Sequence, residues 1–428
     1  MTDDGGKPTT VLPVRERPGL FEAYGVEIET MLVDAHTLAV RPECDELMAR
    51  VGGPEAGSGE SEIELGGIAW SNELVLHVLE LKTNGPAPSL SGLVGQFHAS
   101  VLRANQELEG MGARLMPGAV HPWMDPGMET ELWPHEYTDV YHTFDRIFGC
   151  SGHGWANLQS THLNLPFVGD EEFGRLHAAI RLVLPLIPAL SASSPFLDGR
   201  RAATLDARLA AYRGNARRVP SVTGRVVPEP AFTRAQYEEE ILGRIYADLA
   251  PLDPEGVLRH EWANARGAIA RFDRGTVEIR VIDAQECPSA DIAVVAAVTS
   301  LVRALAVGPL SARDPAADPD TDSLASLLEG TTIRADEARV SDGGLLGALG
   351  LDATSRSAGA VWRAMLDRFP PDDPEYEFTP ALETILDRGP LARRIVGATG
   401  DAPERARLAE VYGALCDCLA QDGSFEGA

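Results

Sequence analysis

Residues 20–34 constrain the fold of this chain more than any other stretch. At their centre, the pentapeptide Gly-Val-Glu-Ile-Glu alternates apolar and acidic residues, and a period of two is typical of a β-strand. Val26 and Ile28 are predicted to face one side of this strand, and Glu27 and Glu29 the other. Two neighbouring carboxylates repel each other unless a positive group lies between them. Taken alone, the stretch is also explained by a solvated edge strand with its acidic residues outward.

A second strand is predicted over residues 71–85, where the sequence Asn-Gly-Pro marks its end. Glu80 and Lys82 share one face of this strand. Glu73 is seven residues from Glu80, and this odd separation places the two on opposite faces of a regular strand. Either a bulge intervenes, or Glu73 precedes the strand.

Two more strands are predicted to carry polar side chains opposite their apolar ones. Residues 155–166 alternate cleanly, and one face then holds Ser160, His162 and Asn164. Residues 275–283 place Glu278 and Arg280 opposite a row of Val and Ile side chains. A single histidine in a strand is more often structural than a ligand. His162 is a candidate ligand only because other strands carry carboxylates.

Carboxylates from several strands that converge on one sheet surface would repel strongly in a medium of low dielectric constant. Divalent cations remove this repulsion, and a site rich in carboxylate oxygen with little thiolate suits Mg²⁺ or Mn²⁺. Such ions most often bind and neutralise nucleotide phosphates. The sequence contains no phosphate-binding loop of the Gly-x-x-x-x-Gly-Lys type, no His-Glu-x-x-His pair and no Gly-x-Ser-x-Gly elbow.

The charge and cysteine content of the chain argue against several classes of binding partner and site. A formal net charge of −27 argues against nucleic acid or an anionic membrane, because neither would meet a basic surface. The five cysteines are scattered and lack the spacing of a metal site or a disulfide framework. We see no signal peptide and expect no apolar segment of bilayer-spanning length. A reduced, cytoplasmic chain without membrane or nucleic-acid partners is predicted.

The chain divides into three predicted parts. Residues 1–17 are polar and rich in Gly and Pro, which indicates a disordered tail. Residues 18–310 form the predicted core, in which residues 52–67 indicate a mobile loop or hairpin tip and residues 289–307 an apolar helix. Residues 311–428 are predicted to be a helical region packed on this core, without a chemical motif.

Five segments together resemble the glutamate–cysteine ligase family, one of the glutamine-synthetase-like carboxylate–amine ligases. In chain order they are Gly25-Val-Glu-Ile-Glu, Glu80-Leu-Lys-Thr, Ser160-Thr-His-Leu-Asn, Leu190-Ser-Ala-Ser-Ser-Pro-Phe and Gly275-Thr-Val-Glu-Ile-Arg-Val-Ile-Asp. Each is short, but all five occur in the order of the family. The resemblance implies an α+β fold with a curved antiparallel sheet of glutamine-synthetase-like type, backed by helices. The concave face of that sheet holds ATP, metal ions and an amino-acid carboxylate.

The resemblance also implies roles for single residues. Six of them match metal-ligand positions of the family: Glu27, Glu29, Glu73, Glu80, His162 and Glu278. Arg280 matches an arginine that contacts phosphate, and with Glu278 it forms the predicted catalytic pair. Lys82, one of only two lysines in the chain, is the predicted nucleotide contact.

Arginines are the candidates for binding the substrate carboxylate, since Arg clusters in an acidic protein often recognise carboxylates or phosphates. Arg208 is the best candidate because it follows the Ser-Ser-Pro-Phe segment at the interval of the family. Arg266 and Arg271 are further candidates, and Asn164 is also assigned to the substrate. A solvated face would also explain the arginine-rich run from Arg200 to Arg213, to which Arg208 belongs.

The implied reaction transfers the γ-phosphoryl group of ATP to a substrate carboxylate, and an amine then displaces phosphate from the acyl phosphate to form an amide. Glutamate as the acid and cysteine as the amine are the default of the family. The sequence leaves the oligomeric state open, including a homo-oligomer. Because of the crowded carboxylates, removal of Glu27 is expected to hold or raise the stability of the metal-free protein.

Three segments depart from the family pattern. Leu197-Asp-Gly-Arg-Arg-Ala-Ala-Thr replaces a Gly-x-Asp-Thr-Gly type run, and Asn264-Ala-Arg-Gly-Ala replaces an Asp-x-Arg-Pro-His pattern. Asn164 stands where some relatives have a second histidine. Three interpretations therefore stay open: a glutamate–cysteine ligase, a ligase of the same mechanism with another acid or amine, and a non-catalytic nucleotide- or metal-binding protein.

Overall fold

The computed structural model of the chain describes residues 17–53, 61–312 and 318–427. Of the predicted tail over residues 1–17, only residue 17 is among them. Residues 54–60 of the predicted mobile loop also lie outside the described residues.

The described residues contain twelve strands and sixteen α-helices. The strands are β1 Gly25–Asp34, β2 Glu62–Leu65, β3 Ile68–Asn72, β4 Val78–Thr83, β5 Ala113–Met116, β6 Ser160–Pro166, β7 Phe196–Leu197, β8 Arg200–Arg201, β9 Ala268–Arg271, β10 Thr276–Asp283, β11 Arg339–Val340 and β12 Arg356–Ser357. The helices are α1 Cys44–Gly52, α2 Leu93–Glu109, α3 Pro126–Glu129, α4 Thr138–Phe148, α5 Gly169–Val183, α6 Pro188–Ser191, α7 Ala207–Tyr212, α8 Arg234–Tyr237, α9 Gly243–Leu249, α10 Pro288–Ala306, α11 Thr321–Arg334, α12 Gly343–Ala348, α13 Ala358–Arg368, α14 Thr379–Arg388, α15 Leu391–Thr399 and α16 Arg405–Gln421.

Eight strands form one open antiparallel sheet in the order β2-β3-β4-β1-β6-β10-β9, with β5 paired to the far half of β1. The strand that carries Glu27 and Glu29 therefore lies in the middle. Its neighbours are β4 on one side and β6 on the other. This open sheet with its helices confirms the predicted α+β class.

The two faces of the sheet differ as the period-two pattern predicts. Val26 and Ile28 of β1 belong to the main hydrophobic core, together with Leu163 of β6 and Ile279 of β10. Helices α2, α5 and α10 contribute to the same core, and α10 packs against both of the others. Burial of this apolar face leaves the acidic side chains of the central strands on the opposite face.

Residues 71–85 do not form the single strand that their pattern predicts. β3 ends at Asn72 and β4 begins at Val78, and these two strands pair with each other so that Ser71 lies opposite Glu80. Glu73 follows β3 in the connection between the two strands. The odd separation of Glu73 and Glu80 is thereby explained, because the two residues do not share one regular strand.

A bulge in β10 changes which of its residues face the acidic side. Ile279 pairs with Leu163, but Ile282 pairs with Thr161, so the register shifts by one residue between them. Asp283 therefore lies opposite Ser160 and shares the face of Glu278. In a regular strand these two acidic residues would point to opposite faces.

Helix α10 is an exception to the expectation that no apolar segment reaches bilayer-spanning length. Its 19 residues are long and apolar enough by composition to cross a membrane. However, 89% of the apolar window is buried inside the fold. Such burial is the ordinary condition of the central helix in a packed core.

The helices after residue 318 pack onto the sheet and its backing helices. α16 contacts β5 and α2, while α13 and α14 contact α10. The side chain of Trp362 in α13 donates a hydrogen bond from Nε1 to the carbonyl of Leu186 at 2.8 Å. The division of the chain at residue 310 stays a prediction.

Asp291 is a buried carboxyl group on α10, beneath β6. Its Oδ1 accepts hydrogen bonds from Thr161 Oγ1 at 2.5 Å and from the Gln285 amide at 3.0 Å. Burial raises the pKa of this carboxyl from 3.8 to about 7. Because the folded state holds the proton more tightly, the stabilising contribution is complete below pH 3.8 and is lost as the pH rises through about 7.

We expect Asp291→Asn to stabilise the fold in the alkaline range, because the amide keeps an acceptor for Thr161 without a buried charge. The free energy of unfolding should rise by up to about 4 kcal/mol near pH 8, and by much less near pH 4. Urea denaturation of both proteins at the two pH values measures this difference. A variant that is less stable than the wild type near pH 8 would show that the charged form of Asp291 is favourable.

Candidate active site

The candidate site lies on the acidic face of the sheet, across β4, β1, β6 and β10. The register of these strands brings Glu29 opposite Glu80 and Glu27 opposite His162. Glu278 follows on the next strand, opposite Asn164. Four strands that are distant in sequence thus deliver their polar side chains to one surface.

Among the described residues, two groups of side chains have the geometry to hold a metal ion. The first contains Glu27, His162 and Glu278, and the second contains Glu29, Glu80 and His162. Within each group, one ligand atom per residue lies within 4.8 Å of the others. These five residues are all among the predicted metal ligands. Their role in metal binding stays a prediction.

His162 lies between the two groups and contacts both. Its Nδ1 is 2.9 Å from Glu27 Oε2 and 3.9 Å from Glu278 Oε1. Its Nε2 is 3.7 Å from Glu29 Oε1 and 2.9 Å from the hydroxyl of Ser160. Protein groups therefore orient the imidazole through both of its ring nitrogens.

Hydroxyl groups fix the orientation of two of the carboxylates. The amide of Ser160 donates to Glu29 Oε2 at 2.7 Å, and its hydroxyl contacts the same oxygen at 3.2 Å. Ser71 donates to Glu80 Oε1 at 2.5 Å. Sequence analysis placed Ser160 on the correct face without giving it a role, and it missed Ser71. The cross-strand pairing of Ser71 with Glu80 only becomes visible once β3 and β4 are separate strands.

The electrostatics of the site are uneven. Burial acts to raise the pKa of Glu27, but the hydrogen bond and charge of His162 outweigh it, so the pKa of Glu27 lies well below its usual value. Burial and the charge of Glu27 raise the pKa of Glu80. Burial and the charges of Glu29 and Glu80 raise the pKa of Glu73 well above its usual value. His162 therefore outweighs the burial of Glu27, whereas Lys82 and Arg280 do not outweigh the burial and mutual repulsion of Glu80 and Glu73.

Divalent cations fit this arrangement. The donors are carboxylate oxygens and one imidazole, a set that suits Mg²⁺ or Mn²⁺. The pKa values of Glu73 and Glu80 are raised although Arg280 acts on the first and Lys82 on the second, so the nearby cations compensate their negative charges only in part. A bound cation would favour the ionised form of both carboxylates.

Glu278 is contacted by two arginines. Arg280 Nε lies 3.1 Å from Glu278 Oε1, and Arg271 Nη1 lies 3.5 Å from Glu278 Oε2. The side chain of Arg280 is 28% exposed, whereas that of Arg271 is 10% exposed and also contacts Asp273. The structure thus brings the predicted catalytic pair together and adds Arg271 to the same site.

The other predicted site residues occupy different positions. Asn164 donates from Nδ2 to Glu27 Oε1 at 3.1 Å and so belongs to the cluster. Lys82 lies at its edge, with Nζ 3.5 Å from Glu80 and 2.7 Å from Glu62. Glu73 stands beside the second group, where its carboxyl interacts electrostatically with Glu29 and Glu80.

Arg266 and Arg208 are buried and have partners of their own. The guanidinium of Arg266 donates to both carboxylate oxygens of Glu229, at 2.6 and 2.8 Å, and its Nη1 donates to the Ser221 carbonyl at 3.0 Å. The Nε of Arg208 donates to Asp283 Oδ1 at 2.5 Å. Protein partners therefore account for both buried arginines. Their assignment to the substrate stays a prediction.

Asp283 and Tyr212 are neighbours of the site that sequence analysis did not select. Asp283 escaped because the bulge in β10 reverses its face. The hydroxyl oxygen of Tyr212 is buried and has no hydrogen-bond partner among the described residues. Burial raises the pKa of this phenol, and the charges of Arg280, Arg208 and Glu278 also act on it, so Tyr212 lies near the predicted catalytic pair. No local pattern in the sequence distinguishes this tyrosine from others.

One face of the open antiparallel sheet thus presents carboxylates, one histidine and the partly exposed Arg280, a set of groups that suits the binding of cations and phosphate. The sequence profile of glutamate-cysteine ligase family 2 matches residues 23–407. The chain belongs to this family, which confirms the resemblance seen in the sequence.

Two relatives illustrate the breadth of the family. An uncharacterized protein from Archaeoglobus fulgidus is 36% identical over 265 residues, which cover 61% of this chain and 69% of that protein. A protein from Rubrobacter xylanophilus, provisionally named glutamate–cysteine ligase 2-3, is 30% identical over 283 residues, which cover 65% of this chain and 69% of that protein.

Two solved structures share the fold. A glutamate–cysteine ligase from Francisella tularensis, in complex with AMP, superposes with a TM-score of 0.57 at 12% identity and covers 95% of this chain and 89% of its own. A bifunctional glutathione synthetase from Pasteurella multocida also has a TM-score of 0.57 at 12% identity, over 92% of this chain and 53% of its own. At this level of identity, the likeness concerns the fold.

Proposed function

We propose that the protein is an ATP-dependent carboxylate–amine ligase that acts through an acyl phosphate, with glutamate and cysteine as its substrates. One observation carries the proposal: Glu27, Glu29, Glu80, His162 and Glu278 converge from four strands into two cation-binding groups beside Arg280. A protein that only binds a nucleotide need not keep this complete set of candidate metal ligands together with Arg280. The Francisella tularensis ligase, which shares the fold, was solved in complex with AMP, and this supports a nucleotide as one of the ligands.

The residues of the chain have separable tasks in this reaction. Bound Mg²⁺ or Mn²⁺ would neutralise the phosphates of ATP and draw negative charge from the phosphoryl group in transfer. Arg280 supplies a fixed positive charge toward the same group, while Arg271 balances the charge of Glu278 from the other side. The substrate carboxylate takes the γ-phosphoryl group and ADP leaves. The amine then displaces inorganic phosphate and loses a proton as the amide forms.

A ligase with another acid or amine is the second candidate, and one observation favours it. Arg208, the residue predicted to bind the acid substrate, is buried in an ion pair with Asp283 instead of being open to a ligand. The substrate carboxylate would then need another partner, for which Arg271 and Lys82, which pair with Glu278 and Glu80, are candidates. A cytoplasmic location belongs to the proposal, which leaves the oligomeric state open.

Measurement of ADP release over pairs of amino acids tests the proposal. We expect release that requires glutamate, cysteine and Mg²⁺ or Mn²⁺ together, and that stops with a chelator. With hydroxylamine in place of the amine, the activated acid should be trapped as a hydroxamate. Release with a different pair would support the second candidate. Nucleotide binding without ADP release from any pair would leave only a non-catalytic binding protein.

A further inference from the structure

The backbone of Arg280 is held at the bulge of β10. The paired residues of β10 and β6 stop at Ile279 and resume at Ile282, which leaves Arg280 outside the regular ladder with β6. On the other side, its amide donates to the carbonyl of Gly267 at 2.9 Å. The direction of the Arg280 side chain therefore depends on what holds this irregular stretch of backbone.

Arg208 reaches the same stretch from α7. Its Nη1 and Nη2 both donate to the carbonyl oxygen of Arg280, at 3.4 Å each. Its Nε donates to Asp283 Oδ1 at 2.5 Å. One guanidinium thus bridges the bulge, because it bonds both to the carbonyl of Arg280 and to the side chain of Asp283.

A buried polar network fixes Arg208 itself, whose side chain is 2% exposed. Asp283 Oδ2 accepts hydrogen bonds from the Ser193 amide at 2.9 Å and from the Ser194 hydroxyl at 2.8 Å. The same hydroxyl accepts from the backbone amide of Arg208 at 3.1 Å. Asp206 caps α7 by accepting from the Leu209 amide at 2.7 Å. Arg208 is therefore a rigid part of the fold.

We propose that Arg208 is a positioning residue that fixes the bulged backbone of β10 and thereby aims the guanidinium of Arg280 at the transferring phosphoryl group. This role rests on the proposed function, since it presumes phosphoryl transfer at Arg280. It replaces the assignment of Arg208 to the substrate carboxylate. All three nitrogens of its guanidinium already donate to Asp283 or to the carbonyl of Arg280.

Arg208→Lys is the informative substitution, because it keeps a positive charge beside Asp283 and loses the fork to the Arg280 carbonyl. We expect kcat to fall by about 10- to 100-fold, since small misplacements of a reacting group have effects of this size. The KM for the acid substrate and the Kd for ADP should stay within about threefold of the wild type. A residue that binds the acid directly would instead raise its KM and leave kcat nearly unchanged.

A double-mutant cycle identifies the route of the effect. In an Arg280→Gln background, Arg208→Lys should lower kcat by less than about threefold, because the group that it positions is already absent. If the double variant instead loses kcat by the product of the two separate fold-decreases, the inference is overturned. If Arg208→Lys does not fold, the double substitution Arg208→Gln with Asp283→Asn removes both buried charges together and enters the same cycle.

A readout without turnover separates this inference from the proposed function. In protein labelled with ¹⁵N-arginine, Arg280→Gln identifies the Nε–H resonance of Arg280, and Arg208→Lys should shift or broaden that resonance. Arg181→Lys is the matched control, since Arg181 is also buried and donates to a backbone carbonyl, that of Pro228 at 2.8 Å. An Arg280 resonance that is unchanged in Arg208→Lys would overturn the inference, even in an active enzyme. A wild type without ADP release would overturn the proposed function, and the resonance would still test the positioning.

Discussion

Glu80→Gln is expected to abolish ADP release, by about three orders of magnitude or more, and to raise the thermal stability of the metal-free protein near pH 8. Turnover is lost because an amide is a poor ligand for Mg²⁺ or Mn²⁺ in comparison with a carboxylate. Stability rises because burial and the charge of Glu27 raise the pKa of Glu80. The ionised form is thus disfavoured in the metal-free fold, and the amide can still accept the hydrogen bond of Ser71.

The sign of the stability change follows from linkage. A carboxyl group whose pKa is raised in the fold contributes to folding stability. This contribution is fully present below pH 4.5, the usual pKa, and is lost as the pH rises through the pKa of the folded state. Near pH 8 the wild type has lost this contribution, whereas glutamine carries no charge at any pH. Thermal unfolding with a chelator and with Mn²⁺ measures both effects. The ion should stabilise the wild type more than the variant, which keeps only the group of Glu27, His162 and Glu278 intact.

Glu27→Gln is the matched comparison for Glu80→Gln. It should destabilise the metal-free protein, whereas Glu80→Gln should stabilise it. The hydrogen bond and charge of His162 hold the pKa of Glu27 well below its usual value, so its negative charge stabilises the fold above that value. The variant should lose turnover like Glu80→Gln, but its melting temperature without metal should fall. The expectation from sequence, that removal of Glu27 holds or raises stability, is thereby reversed. A lower melting temperature for Glu80→Gln would contradict our account of the cluster.

The polar face of the sheet could be predicted because each strand encodes it locally. Alternation in β1 alone assigns Glu27 and Glu29 to one face, and alternation in β6 assigns His162 and Asn164 to one face. No local pattern, however, states which strands are neighbours. The contacts between β1, β4, β6 and β10 come from pairing across long stretches of chain, such as that of Glu29 with Glu80.

The bulge and the buried arginines could not be predicted from the sequence. The register shift in β10 follows from its different pairings with Leu163 and Thr161, which no alternation shows. Because this shift places Asp283 on the acidic face, it also decides the partner of Arg208. In a chain with so many arginines, the buried ones differ from the solvated ones by partners that are distant in sequence, such as Asp283 for Arg208 and the Pro228 carbonyl for Arg181.

Arg280→Gln is expected to lower kcat by roughly two to four orders of magnitude, with little change in folding or in nucleotide affinity. The structure supplies the reason for the intact fold. When Arg280 is removed, Glu278 keeps Arg271, whose Nη1 lies 3.5 Å from its Oε2. The carboxylate therefore still has a cation beside it. Loss of a buried ion-pair partner costs several kcal/mol only when the remaining charge is left without one.

Arg271→Gln separates the two roles that an arginine beside Glu278 can have. Arg271 is the more buried of the two and also pairs with Asp273 at 3.2 Å, so its removal should lower the melting temperature more than that of Arg280. Steady-state ADP release, calorimetric titration with ADP and thermal unfolding of both variants measure the difference. Two results would contradict this assignment: a nearly normal kcat in Arg280→Gln, or a melting temperature of that variant far below that of Arg271→Gln without ligand. Arg280 would then be a structural partner of Glu278, and another residue would have to stabilise the phosphoryl group.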